Sequence, residues 1–317
     1  VSSGVRWLVP VVVLLAAGCS DPADPVYPED PDTSAISTEY DPSLEPSAAV
    51  LALVPSDATT LEVTDLDQLR LTLGFGFLNR EASAAERARF WRALPKAATL
   101  STGMLRPAAE ELRAYGFGAD DVAWEATYAG GADGWVMAFH DDVSMTQVEE
   151  AIRDRVGPLA GAVLDAERRV VTSAEPPEGD DSWAALEEVV DLVGQEANAT
   201  YVERSCLPFD TVFGEGMEAQ LAEAPRAALA ALDPLEGFSV ALGGSLATVK
   251  LGENRPDAFD RLRLDEVMPA IRPEFGAAFS RGVADPSTGR LGYDLQRPSA
   301  ATALITDQHL PFAVCGD

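Results

Sequence analysis

Lysine and histidine are nearly missing from this chain of 317 residues: Lys96 and Lys250 are its only lysines, His140 and His309 its only histidines. Two histidines exclude a His-rich metal site and leave too few ligands for an ordinary Cys/His zinc site. Cysteine is scarce too, with Cys19, Cys206 and Cys315. No two of them are spaced Cys-x-x-Cys, which excludes a thioredoxin-type redox motif. The P-loop is absent, as is the Ser-x-x-Lys of penicillin-binding enzymes. Positive charge is outweighed: 23 Lys and Arg face 52 Asp and Glu, a net charge of −29. Phosphates would be repelled, so nucleic acid is excluded as a partner, as is an anionic membrane surface met by the protein body. The simplest role for such acidity is to keep an exported protein in solution. The longest apolar run, Trp7 to Ala17, is well short of the roughly 20 residues a spanning helix needs.

That run is nevertheless informative. Arg6 supplies a single positive charge before it, only Pro10 interrupts it, and Leu15-Ala16-Ala17-Gly18-Cys19 closes it. An apolar stretch of roughly 7–15 residues leading into small residues is the pattern of a cleaved secretory signal. The close resembles the lipobox of bacterial lipoproteins, with Ala16 at the third position before the cysteine and leucine one step earlier. The resemblance covers the leader alone and implies cleavage between Gly18 and Cys19. Cys19 would then carry a diacylglycerol thioether, as the first residue of a mature chain anchored to the cell membrane on its extracytoplasmic face. Val1 fits an alternative start codon, so the chain is expected to be the full precursor. Few lysines, many arginines and abundant alanine resemble the coding of GC-rich, actinobacterial-like genomes.

Removal of residues 1–18 leaves roughly 300 residues, enough for one large or two ordinary domains. Residues 19–48 read as a lipidated cysteine followed by a disordered tether, with prolines such as Pro22, Pro28 and Pro42 set among acids such as Asp21, Asp30 and Glu45. Such a segment buries too little apolar surface to order itself. Held extended at about 3.1 Å per residue, it reaches up to roughly 90 Å. With Cys19 assigned to lipid, Cys206 and Cys315 remain as an even pair in an oxidising compartment. A disulfide between them closes a loop of 109 residues, for which chain entropy suggests roughly 4–5 kcal/mol.

The body, 49–195 and 196–317, reads as an α+β fold of two similar halves. Each is a largely antiparallel sheet with glycine-turn hairpins covered by helices. In the first half Thr59 to Val63 alternates as a strand and leads into a helix over 67–73. Ser83 and Glu86 form a capping box, and a short helix runs from Pro107 to Gly116. Val122 to Tyr128 and Trp135 to Phe139 form a hairpin whose aromatics Trp124, Tyr128, Trp135 and Phe139 read as core, with Glu125 and Thr127 facing outward. A helix over 145–155 and a hairpin of 162–164 with 169–172 follow. Ser182 opens an amphipathic helix carrying Trp183, Leu186, Val189, Val190 and Val193, stopped by Gly194.

The second half begins at Thr200 to Val202. Met217 to Leu232 reads as helix broken at Pro225. Phe238 to Leu242 and Ser245 to Leu251 pair across Gly243-Gly244, which places Phe238, Val240, Leu242, Ala247 and Val249 on one face. Ser239, Thr248 and Lys250 take the other, as suits a sheet covered on one side only. A helix after Pro256 carries Phe259, Leu262 and Leu264. Residues 289–295, 301–306 and 310–315 read as closing strands.

Candidates for chemistry are few. His140, before Asp141 and Asp142, reads as a surface residue leading into a helix, and His309 as a hairpin tip. Neither stands beside an obvious nucleophile. Gly243-Gly244-Ser245-Leu246-Ala247 resembles the Gly-x-Ser-x-Gly elbow but reads as a strand-to-strand turn, which would not expose its serine. Gly74-Phe75-Gly76-Phe77 lacks the third glycine of a dinucleotide site. Asp65-Leu66-Asp67 and Glu178-Gly179-Asp180-Asp181 fall short of a calcium loop. No catalytic residue, metal site or cofactor is therefore expected. The expectation is a membrane-anchored lipoprotein that presents a non-enzymatic binding or assembly domain to an extracytoplasmic protein or ligand. The alternatives are a solute- or lipid-binding lipoprotein serving a transporter and a carboxylate-dependent hydrolase.

Overall fold

Alternation of apolar and polar side chains, strongest over residues 58–65, builds a single antiparallel sheet. A computed structural model describes residues 36–76, 78 and 82–316, which belong to one compact unit. Gly18, Cys19 and residues 20–35 of the expected tether lie outside the described residues, whereas its last part, 36–48, is ordered, with Tyr40, Leu44 and Ala48 packed on the core. The ten strands are β1 (Ala58–Asp65), β2 (Val122–Gly130), β3 (Gly134–Phe139), β4 (Val163–Asp165), β5 (Val170–Thr172), β6 (Ala199–Glu203), β7 (Phe238–Leu242), β8 (Leu246–Lys250), β9 (Ser280–Asp285) and β10 (Arg290–Asp294). They lie in the order β4-β5-β3-β2-β1-β6-β7-β8-β10-β9. Strands with helices segregated around an antiparallel sheet make this an α+β fold.

The register sorts the core into layers. Leu61 and Val63 stand opposite Tyr128 and Ala126 of β2, and opposite Val202 and Thr200 of β6. This face is covered by residues 46–54 together with Trp183, Val189, Leu192 and Val193. The other face carries Met137 and Phe139 at one end, under the helices Leu66–Thr72, Ala84–Ala93 and Met145–Arg153. At the other end it carries Val240, Leu242, Val249, Leu291 and Tyr293, under Ala258–Asp265 and Pro298–Thr306. Cover on one side only therefore does not hold. Even the polar face of the β7–β8 hairpin is roofed: Ser239 Oγ donates to Leu192 O at 2.5 Å, Lys250 Nζ to Asp191 O at 3.1 Å, and Gln195 Nε2 to Thr248 Oγ1 at 3.0 Å.

Several local expectations change for identifiable reasons. Gly243 N bonds Leu246 O at 2.8 Å and Leu242 pairs with Ala247, so the hairpin loop is Gly244-Ser245 rather than Gly243-Gly244. Moving the register by two residues leaves every side chain on its expected face. The segment 301–306 is helix, not strand: Pro298 sits in the first turn, where its missing N–H costs nothing, and alanines follow. Residues 310–315 contain the 3₁₀ turn Pro311–Ala313 and form no strand of the sheet, their one backbone bridge being Leu207–Val314. Pro225 lies in the first turn of Glu223–Leu229 instead of breaking a longer helix. The expected helix after Ser182 divides into a 3₁₀ turn, Trp183–Ala185, and one α-turn, Glu187–Val190. Trp183 dictates this: it is fully buried, its N–H bonds Val54 O at 2.9 Å and its Nε1 bonds Ala58 O at 3.2 Å.

The C-terminal segment is held in two ways. Cys206 and Cys315 are joined, with Cα atoms 4.8 Å apart. Arg261, fully buried, donates to Asp257 Oδ2 at 2.8 Å, Phe312 O at 2.9 Å, Val314 O at 3.0 Å and Asp233 O at 2.8 Å. Arg255 reaches the same carboxylate at 2.8 Å. Burial works against the Asp257 charge, yet the two guanidiniums outweigh it and hold its carboxyl below the usual range. Removing Asp257 would strand Arg261, which cannot shed its proton. Asp257→Ala is expected to destabilise the protein by about 3–5 kcal/mol, read from urea unfolding followed by tryptophan fluorescence. A loss under about 1 kcal/mol would show that the pair is dispensable.

Candidate functional site

Clefts open on this scaffold among the described residues, and one of them gathers residues that sequence spacing kept apart. Asp65 ends β1 and caps the next helix, its Oδ1 accepting from Gln68 N at 2.8 Å. One helical turn aligns Asp67 with Arg70, and Arg70 Nη1 meets Asp67 Oδ1 at 2.5 Å. Arg70 is 1% exposed and also bonds Val122 O at 3.0 Å and Asp120 O at 3.1 Å. His140, just past β3, brings Nε2 to 2.9 Å from Asp67 Oδ1. Its backbone carbonyl is held by Arg169 Nε at 3.1 Å. Tyr40, Trp124 and Phe139 complete a cleft of about 410 Å³.

His140 is thus not a surface residue leading into a helix but a half-buried partner of Asp67. No local signal joins these positions, because β3 carries His140 to helix Leu66–Thr72 only through the tertiary fold. Charges here separate the two neighbouring acids. Burial pushes Asp65 up to about 6, with the charges of Asp67 and Glu45 adding to it. Asp67 moves the opposite way: burial opposes its charge, but the His140 hydrogen bond and the charges of His140 and Arg70 prevail. One carboxyl disposed to hold its proton beside one disposed to stay ionised is an acid–base pairing in form. Among the described residues no group of three or more His, Cys, Asp or Glu is placed to hold a metal ion.

The second cleft lies between helix Ala258–Asp265, residues 268–279 and the edge strand β9, and measures about 520 Å³. Phe275, Phe279 and Tyr293 form its floor, with centroids 5.4 Å apart from ring to ring. Phe259 and Leu262 form one wall, and Phe259 is 57% exposed. Arg263 and Arg281 stand at the margin, tied to Asp260 and Asp294 respectively. Asp265 lines the cleft, and its Oδ2 accepts from Tyr293 OH at 2.7 Å. Nothing in the sequence marks this site, since β9 has no apolar alternation and Phe259 reads as an ordinary core position.

Other candidates fall outside both clefts. Glu125 does not face outward: it is 1% exposed and accepts from Gly103 N at 3.0 Å, Met104 N at 2.9 Å and Ser101 Oγ, because residues 99–104 fold over β2. Thr127 is exposed. The hairpin aromatics form no single stripe, since Trp135 pairs with Thr127 and so lies on the face opposite Trp124 and Tyr128. Ser245 sits in the strand-to-strand turn. His309 follows helix Pro298–Thr306 and lies 3.3 Å from Arg272, so it is not a hairpin tip. Gly74 and Gly76 adopt φ of 76° and 57° just after a helix, a terminating role; Phe77 lies outside the described residues. Comparisons with family models, curated proteins and solved structures return no match. No helix among the described residues is long and apolar enough to cross a membrane.

A raised Asp65 means the folded state binds more protons between the ordinary aspartate pKa of 3.8 and about 6. Stability therefore falls as pH rises through that window. Asp65→Asn keeps the capping oxygen and removes the titration. It is expected to match the wild type near pH 3.5 and exceed it by about 1–2 kcal/mol at pH 7, a figure reduced for partial exposure. Urea unfolding at the two pH values measures this, and equal gains at both would contradict it.

Proposed function

We propose that this chain is an extracytoplasmic lipoprotein, anchored through Cys19, whose body binds a small ligand. The observation that carries the binding reading is the open cleft of about 520 Å³ with an aromatic floor and the charged side chains of Arg263, Asp265, Glu266 and Arg281 around it. Ligand sites are of this size. Among the expectations raised by the sequence, this favours a solute-binding body over one that serves only in assembly. The lipobox resemblance and acidic tether support a tethered location.

Two similar halves are part of the same reading. The order β1-β2-β3-β5-β4 runs outward on one side of the sheet, and β6-β7-β8-β10-β9 runs outward on the other. Each half thus reads hairpin, helix, hairpin after its first strand, which supports duplication of one unit. A second reading, hydrolysis with carboxylates, is favoured by the Asp65–Asp67–His140 cleft, where the acids differ in proton affinity.

Gly276 offers a clean test of the binding reading. It is exposed on the cleft, and an added Cβ would meet only Pro269 Cγ at 3.9 Å. Gly276→Trp should fill the cleft with little change in melting temperature. In a thermal-shift screen of amines, sugars, amino acids, peptides and fatty acids, some class should raise the wild-type Tm by several degrees and leave the variant unmoved. A screen without any Gly276→Trp-sensitive shift would end the binding reading. Anchoring is separate: Cys19→Ser should move the protein from the membrane to the soluble fraction, and retention would refute lipidation.

A further inference from the structure

We propose that the cleft beside helix Ala258–Asp265 takes a protonated amine borne on an apolar body, with the ammonium paired to Asp265 and the body against Phe259, Leu262 and Phe279. This rests on the reading of the cleft as a ligand site and adds the chemical class.

The warrant begins with an unmet hydrogen bond. Asp265 Oδ2 is satisfied by Tyr293 OH at 2.7 Å, whereas Oδ1 is closed to water and has no partner. A buried carboxyl in that state is costly as an anion, and burial accordingly holds Asp265 well above the usual carboxylate range. A donor that also carries positive charge removes both penalties at once. Among the described residues none supplies such a donor to Oδ1. Arg263 is paired with Asp260 at 3.0 Å, and Arg281 is paired with Asp294.

Three further features agree. Phe275, Phe279 and Tyr293 line the same cleft as Asp265, and aromatic faces attract ammonium groups. Glu266 adds a second acid at the cleft. The net charge of −29 draws cations toward the body and disfavours anions. A carboxylate ligand would meet Glu266, with Arg263 and Arg281 already engaged by Asp260 and Asp294, and a neutral ligand would forgo the charge pairing. The apolar walls Phe259 and Leu262 require that the amine sit on a hydrophobic body; ammonium alone would leave them wet.

Three phenylethyl probes that differ in their head group decide it: 2-phenylethylamine, 2-phenylethanol and 3-phenylpropionate, titrated by calorimetry into the wild type, Asp265→Asn and Gly276→Trp. The amine should bind the wild type at least tenfold more tightly than either analogue. Asp265→Asn should lose at least tenfold for the amine and little for the alcohol, and Gly276→Trp should abolish binding of the amine. If the alcohol or the acid matches the amine, or if the amine gives no Gly276→Trp-sensitive binding, the amine assignment fails. The binding reading survives that failure provided the broader screen still yields a Gly276→Trp-sensitive ligand. Because the decisive comparison uses the wild type, it stands even if Asp265→Asn folds poorly.

Discussion

Everything in this molecule hangs from the pairing of β1 with β6. Five residue pairs, Thr60–Glu203 through Thr64–Ala199, join strands that are otherwise far apart in sequence. Both strands are interior, with β2 and β7 on their outer sides. Loss of this seam would leave two open sheets with exposed central edges, each a template for wrong pairing. The seam also decides where helices can sit. Glu62, Tyr201 and Glu203 share its face toward the helices; Tyr201 belongs to the apolar cluster of the second half, and the two acids belong to neither cluster. Glu203 is raised by burial yet accepts from Tyr201 OH at 2.6 Å and Ser205 Oγ at 3.2 Å, so the polar seam is hydrogen-bonded.

Each flank is then fixed by a buried arginine that reaches backbone carbonyls beyond its own helix. Arg70 ties helix Leu66–Thr72 to the entry of β2, and Arg261 ties helix Ala258–Asp265 to the C-terminal segment. Both carry a carboxylate within a helical turn, Asp67 at i−3 and Asp257 at i−4. The contrast lies in what else reaches the acid. Asp257 is closed in by two arginines and is structural. Asp67 faces a cleft and is shared with His140.

Much of the fold was legible because the strongest signals are local. The capping box at Ser83 and Glu86 is present with both reciprocal bonds, and the hairpins at 122–139 and 238–250 follow from alternation and glycine. In the 238–250 hairpin the sheet face of each residue survived although the turn moved, since side-chain direction depends on register modulo two. What escaped were tertiary effects. Trp183 breaks a plausible helix by anchoring to Val54 and Ala58, and Ala300, Ala301 and Ala303 form helix in a segment read as a closing strand. The clefts escaped entirely, because His140 and Asp67, or Phe259 and Tyr293, meet only after the sheet has closed. Composition pointed toward export and away from nucleic acid, but a rim of residues from three elements has no spacing to read.

The disulfide has a mechanical consequence. The aromatic cleft, from Phe259 to Tyr293, lies wholly between Cys206 and Cys315, within the 109-residue loop they close. A pull on the two ends of the chain passes through the sulfur bridge and bypasses that loop. Tension drawn through the N-terminal segment can unravel β1 to β6 but cannot lengthen the part that holds the cleft. Under load, the first half of the sheet acts as the extensible element, and the second keeps its contour length while the bridge lasts.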